Sequence, residues 1–193
     1  MVDFVVVLQP EPDDRLSTAI AASFAQSFQS VNHTLHTPLR HLPIAISIET
    51  KTTQRTEDEG KVQLGVWTKA LTNRLHALAA DRGRTDELSP DRIVFPLIHV
   101  QSSSWKLYFA QLSEETGIQE RSPRVNQLDQ GRRGSPALNV FQGLAIGNTA
   151  TAVGSFALLK ALRVLDRWVK EDYKRWWEGW FAESQRDIRG HAL

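Results

Sequence analysis

The segment Pro43-Ile-Ala-Ile-Ser-Ile-Glu-Thr-Lys51 constrains this chain more than any other. Ile44, Ile46 and Ile48 alternate with small or polar residues, which is the period of a strand, and β-branched side chains favour that state. Successive strand side chains point to opposite faces. The isoleucines therefore share one face, while Ser47, Glu49 and Lys51 share the other. A carboxylate and an ammonium thus stand side by side at a strand end. A second strand, Val2–Leu8, carries Asp3 near its start. If the two strands are neighbours, Asp3, Glu49 and Lys51 form a group able to hold a metal and an activated water. Such a trio can cut phosphodiesters.

The rest of the chain sets the frame for those strands. Gln9-Pro-Glu-Pro-Asp-Asp ends the first strand, and Asp13 or Asp14 caps a helix running through about Phe28. Val31–Leu42, rich in His, Thr and Pro, reads as a loop. Thr52–Gly60 is polar and acidic and reads as a mobile stretch. A helix follows to about Asp81, with Leu64, Trp67, Leu71, Leu75 and Leu78 in one apolar stripe and Gly83 closing it. Ile93–Val100 and Trp105–Leu112 are the next strands. Pro96 lacks an N–H, which predicts an edge strand or a bulge. Residues 113–136, and 119–136 above all, read as an exposed loop, and Leu138–Ile146 as a last strand.

Thr149–Phe181 is a long amphipathic helix with the stripe Leu158, Leu162, Leu165, Val169, Tyr173, Trp176, Trp180. Aromatic residues at that spacing predict a core or an interface before a base-stacking platform. The order of elements predicts an α/β (α+β) fold, a mixed central β-sheet flanked by helices, in one domain over residues 1–193.

Composition removes several functions. With no cysteine among 193 residues, disulfides and thiolate metal sites are excluded. No apolar run approaches the roughly 18 residues of a membrane span. The start enters a strand with no basic segment before it, so the expected location is cytoplasmic or nuclear, not secreted. Asn32-His33-Thr34 is then an unused glycosylation pattern. Net charge is +1 with a pI of about 8.1, modestly against a strong nucleic-acid binder. Arg121, Arg124, Arg132 and Arg133 cluster in the loop, and Lys160, Arg163, Arg167, Lys170, Lys174 and Arg175 on the last helix; both read first as solvated surface. Glu57-Asp58-Glu59 also disfavours a polyanion. There is no phosphate-cradling glycine loop and no dinucleotide fingerprint. His33, His36 and His41 are weak candidates for zinc, and Ser103-Ser-Trp-Lys106 matches a Ser-x-x-Lys pattern by chance.

Ile48-Glu-Thr-Lys51 is followed on the next helix by Gln63-Leu-Gly-Val-Trp67. Together with Val2-Asp3-Phe4, Asn32-His33-Thr34, Pro38-Leu39-Arg40, Ile146-Gly-Asn-Thr149, Arg167-Trp168 and Trp176-Trp177, this pattern resembles the PD-(D/E)XK nuclease superfamily. More narrowly, it is similar to the fungal PD-(D/E)XK nuclease-like domain family, over nearly the whole chain. The resemblance implies a restriction-endonuclease-like fold and a metal-dependent nuclease hydrolysing DNA or RNA. It implies that Asp3 and Glu49, with the Thr50 carbonyl, ligate Mg²⁺ or Mn²⁺. Lys51 would orient or deprotonate the attacking water, and Gln63 would position substrate or water. The superfamily core is αβββαβ, so the chain reads as shortened at its N-terminus or cut from a longer frame. A missing edge strand leaves a sheet edge that a second copy could cover, which points to a homodimer.

Other readings of the same residues stay open. Glu49 and Lys51 also fit an ordinary surface ion pair, Asp3 a simple strand start, and Gln63 a polar first-turn residue. The scaffold could instead enclose a small organic substrate of specialised metabolism, with Trp67, Trp105, Trp168, Trp176 and Trp177 lining a pocket. It could also be a non-catalytic dimeric binding module that uses the long helix as its interface.

Overall fold

The alternating and helical patterns assemble into a sheet with helices on both faces in the computed structural model, which describes residues 2–26, 30–80, 93–113 and 137–182. The strands are β1 (Phe4–Val7), β2 (Ile44–Lys51), β3 (Phe95–Gln101), β4 (Ser104–Ser113) and β5 (Ala137–Asn148). The helices are α1 (Arg15–Gln26), α2 (Glu57–Ala80), α3 (Ala152–Trp168) and α4 (Lys174–Ala182). The five strands lie in the order β1-β2-β3-β4-β5. β2 and β3 are parallel, and the other neighbours are antiparallel. Parallel neighbours need a crossover, and α2 is that connection. The expected 119–136 loop, the arginines within it, and the predicted helix ends at Phe28, Asp81 and Gly83 lie outside the described residues.

The alternation in β2 sorts the two layers. α2 covers the Glu49 face, where its Gly60 abuts His99 of β3. α3 covers the opposite face, meeting Pro96, Leu107 and Phe109 through Ala161, Leu165 and Trp168 around an apolar cavity of about 340 Å³. Tyr173, the residue just before α4, is buried, and its hydroxyl donates to the Ile44 carbonyl at 2.6 Å. Asp14 accepts from the Leu16 N–H and pairs with Lys174 at 2.5 Å, tying α1 to α4. Among the described residues, no helix is long and apolar enough to cross a membrane.

Four expectations need correction. Thr52–Gly60 is not all loose chain: α2 begins at Glu57, and Gly60 is buried within it. Pro96 lies in an interior strand, paired in register with Phe109 and without a bulge. The β2–β3 ladder is joined only from Ser47↔Leu97 onward, so the missing N–H of Pro96 falls outside it. The last strand is longer than expected, with bulges where β4 pairs with it. The long helix is interrupted by a π-turn at Val169–Tyr173. Its wider turn shifts the phase of the helix. Trp177, Trp180 and Phe181 are therefore buried, while Trp176 is only partly so.

Candidate functional site

Asp3 precedes β1, one residue before the Phe4↔Ile48 pair. Its Oδ2 accepts from both the N–H (2.8 Å) and the hydroxyl (2.6 Å) of Thr50. These hydrogen bonds, the hydroxyl's first, hold the Asp3 carboxyl below its usual range, with Lys51 adding to the effect. The terminal aspartate is thus pinned to the end of β2. Asp3 is thereby tied to Thr50, which stands between Glu49 and Lys51 in β2.

Glu49 is not a surface group; it is 1% exposed. Lys51 lies 2.5 Å from its Oε1, and its Oε2 is buried with no hydrogen-bond partner among the described residues. A buried carboxylate oxygen left unpaired is costly. It is the kind of atom that a cation satisfies. A set of two carboxylates and a backbone carbonyl suits hard, oxygen-seeking ions that keep several waters. Among the described residues, no cluster of three or more His, Asp or Glu is placed to hold a metal. His33, His36 and His41 belong to no such cluster. Burial pushes the His33 ring down to about 4, and the ring packs edge-on against Trp67 with centroids 4.1 Å apart. Its loop is fixed by Asn32, which donates to the Leu39 and Leu42 carbonyls and accepts from the Ile44 N–H.

Gln63 lies one helical turn beyond Gly60, and its Oε1 is also buried without a hydrogen-bond partner among the described residues. It lines an open recess of about 500 Å³ with Arg55, Thr56, Asp58, Glu59 and Val62. The recess adjoins the site, because Gln101, the register partner of Lys51, donates to the Arg55 carbonyl. The apolar cavity beneath α3 is on the other face of the sheet. Of the tryptophans expected to line a pocket, it uses Trp168 alone.

The structure adds residues that no sequence pattern marks. His99 is the parallel register partner of Glu49 and is 1% exposed. Burial above all holds its pKa down. Lys106 follows in the same cross-strand row, so Glu49, His99 and Lys106 span β2 to β4. Glu57, at the start of α2, accepts from Lys106 (2.5 Å) and from the Tyr108 hydroxyl, and pairs with Lys61 at 3.1 Å. These bonds, that from Lys106 first, pull Glu57 down to about 2. The start of α2 is thereby clamped over the polar row. Only the strand register reveals this; no spacing in the sequence does.

With that geometry in place, the chain belongs to the PD-(D/E)XK nuclease superfamily, whose family model matches residues 1–174. No curated protein and no solved structure gives a significant match. The mixed sheet flanked by helices is consistent with that family, and the chain is a nuclease-like domain.

Proposed function

We propose that this chain is a metal-dependent nuclease that hydrolyses phosphodiester bonds of nucleic acid at Asp3, Glu49 and Lys51. One observation carries the reading: a fully buried carboxylate keeps one oxygen unpaired while an ammonium holds the other. Asp3 and Glu49, with the Thr50 carbonyl, are the ligands for Mg²⁺ or Mn²⁺. When bound, such an ion supplies an activated water and offsets charge on the phosphoryl oxygens. Lys51 spends one of its three donors on Glu49 and keeps two to hold and orient the attacking water. Gln63, unpaired beside the recess, positions the phosphate or its water. A second copy would pair at the β1 edge, where Phe4 is 61% exposed; light scattering measures that association.

Glu49→Gln keeps the volume and the fold but removes the anion. Cleavage of labelled DNA and RNA in Mg²⁺ or Mn²⁺ should fall by roughly 100-fold or more. Calorimetric metal binding should weaken in parallel. A wild-type protein that leaves every such substrate intact with both metals would overturn the reading.

A further inference from the structure

The outward side of α3 is the feature that the site leaves unexplained. Leu158 and Leu165 face the sheet. On the opposite side, at helical spacing, stand Val153, Phe156, Lys160, Arg163 and Arg167. Val153 is 80% and Phe156 73% exposed. The cations of the long helix fall into two groups. Lys170 pairs with Asp166, Lys174 with Asp14 and Glu178, and Arg175 with Asp172. Lys160, Arg163 and Arg167 have no ionic partner among the described residues. The bare cations run for about 10 Å along the helix, with an exposed aromatic ring one turn before the first.

A chain of hydrogen bonds places this stripe relative to the site. The Ser102 N–H donates to the Lys51 carbonyl at 3.1 Å, and the Thr149 N–H to the Ser103 carbonyl at 2.9 Å. Asn148 then accepts from the N–H groups of Ala150 and Thr151, and Thr151 caps α3 through the Gly154 N–H. Gly147, at φ +147°, lets β5 come so close to α3 that a Cβ would lie 2.6 Å from the Gly154 oxygen. The start of α3 is therefore fixed at the same end of the sheet as Glu49 and Lys51.

We propose that the outward face of α3 is a docking track for a single-stranded nucleic acid passing to or from the site, an inference that rests on the nuclease reading above. Charge complementarity selects a polyanion, since three unpaired cations face solvent in a line. Phe156 selects a single strand, because a duplex hides its base faces while an unpaired base stacks on an exposed ring. Val153 adds apolar contact that a phosphate surface alone would not use.

The test is fluorescence anisotropy of the full chain with labelled oligo(dT), oligo(U) and a duplex of equal length, across a salt series with EDTA present. Lys160→Gln/Arg163→Gln/Arg167→Gln should lower the log–log salt slope for the single strands by about 2, since each cation contributes about 0.7. Phe156→Ala should weaken single-strand binding about tenfold at every salt concentration without changing the slope. Wild-type slope and affinity in both variants would overturn the proposal. So would preference for the duplex, or binding to anionic phospholipid vesicles or polyglutamate in place of the oligonucleotides. Glu49→Gln separates the two readings: it should abolish cleavage and leave the anisotropy unchanged. Loss of cleavage tracks the site, whereas loss of salt dependence tracks α3.

Discussion

Gly60 sits within a 24-residue helix, where alanine ordinarily stabilises by about 0.8–1.0 kcal/mol. Here the structure reverses the sign. A Cβ at Gly60 would lie 2.4 Å from both Cδ2 and Nε2 of His99, against a carbon contact distance of about 3.5 Å or more. The ring must then move by about 1 Å. It is buried in a row between Glu49 and Lys106, so it cannot swing into solvent. Overpacking of this kind costs about 1–3 kcal/mol, and after the helix gain Gly60→Ala should be destabilised by about 0–2 kcal/mol. In a His99→Ala background the obstruction is gone, and the same change should stabilise by up to about 1 kcal/mol. Urea unfolding followed by tryptophan fluorescence measures all four proteins, and the cycle should give a coupling of about 1–3 kcal/mol. Because the ring abuts Glu49 in register, Gly60→Ala should also slow any metal-dependent cleavage. Equal shifts in both backgrounds, or a stabilised Gly60→Ala alone, would refute the packing argument.

Lys51→Met strands the buried Glu49 carboxylate and should destabilise by about 3–5 kcal/mol, whereas Glu49→Leu/Lys51→Met should recover most of that loss; denaturant midpoints read both. Glu57, held at about 2 against its ordinary 4.5, contributes stability that is complete above pH 4.5. That contribution should fade as the pH drops toward 2, because the unfolded chain takes up the proton first. Allowing for its partial exposure, about 1–2 kcal/mol should be lost across that window. Glu57→Gln should remove the dependence, and thermal melts across that pH range measure it.

Much of the frame was legible because local alternation carries it. The predicted β2, Ile44–Lys51, has the observed bounds, and the α2 stripe from Leu64 to Leu78 faces the core. The meeting of Asp3 with the end of β2 was also legible, although it needed the family pattern as well as the residues. What escaped is set by long-range register. His99 reads as one polar residue in an apolar strand, and only parallel pairing across the α2 crossover brings it beside Glu49. Pro96 misled because the rule for proline assumes a strand paired along its full length on both sides. The choice of Trp177 over Trp176 depends on a local widening of the helix that no heptad or stripe encodes.

The lone parallel pair at the middle of the sheet has a consequence for when the protein becomes competent. Hairpin contacts such as β3–β4 can arise early, between near neighbours in the chain. The Glu49–His99 adjacency, in contrast, must wait for a whole crossover to close, and the Asp3–Thr50 bonds for the amino terminus to return across α1. A half-made molecule can thus hold the His99–Lys106 pair while it lacks both the Glu49–His99 adjacency and the Asp3–Thr50 bonds, so the proposed site would be completed only late in maturation.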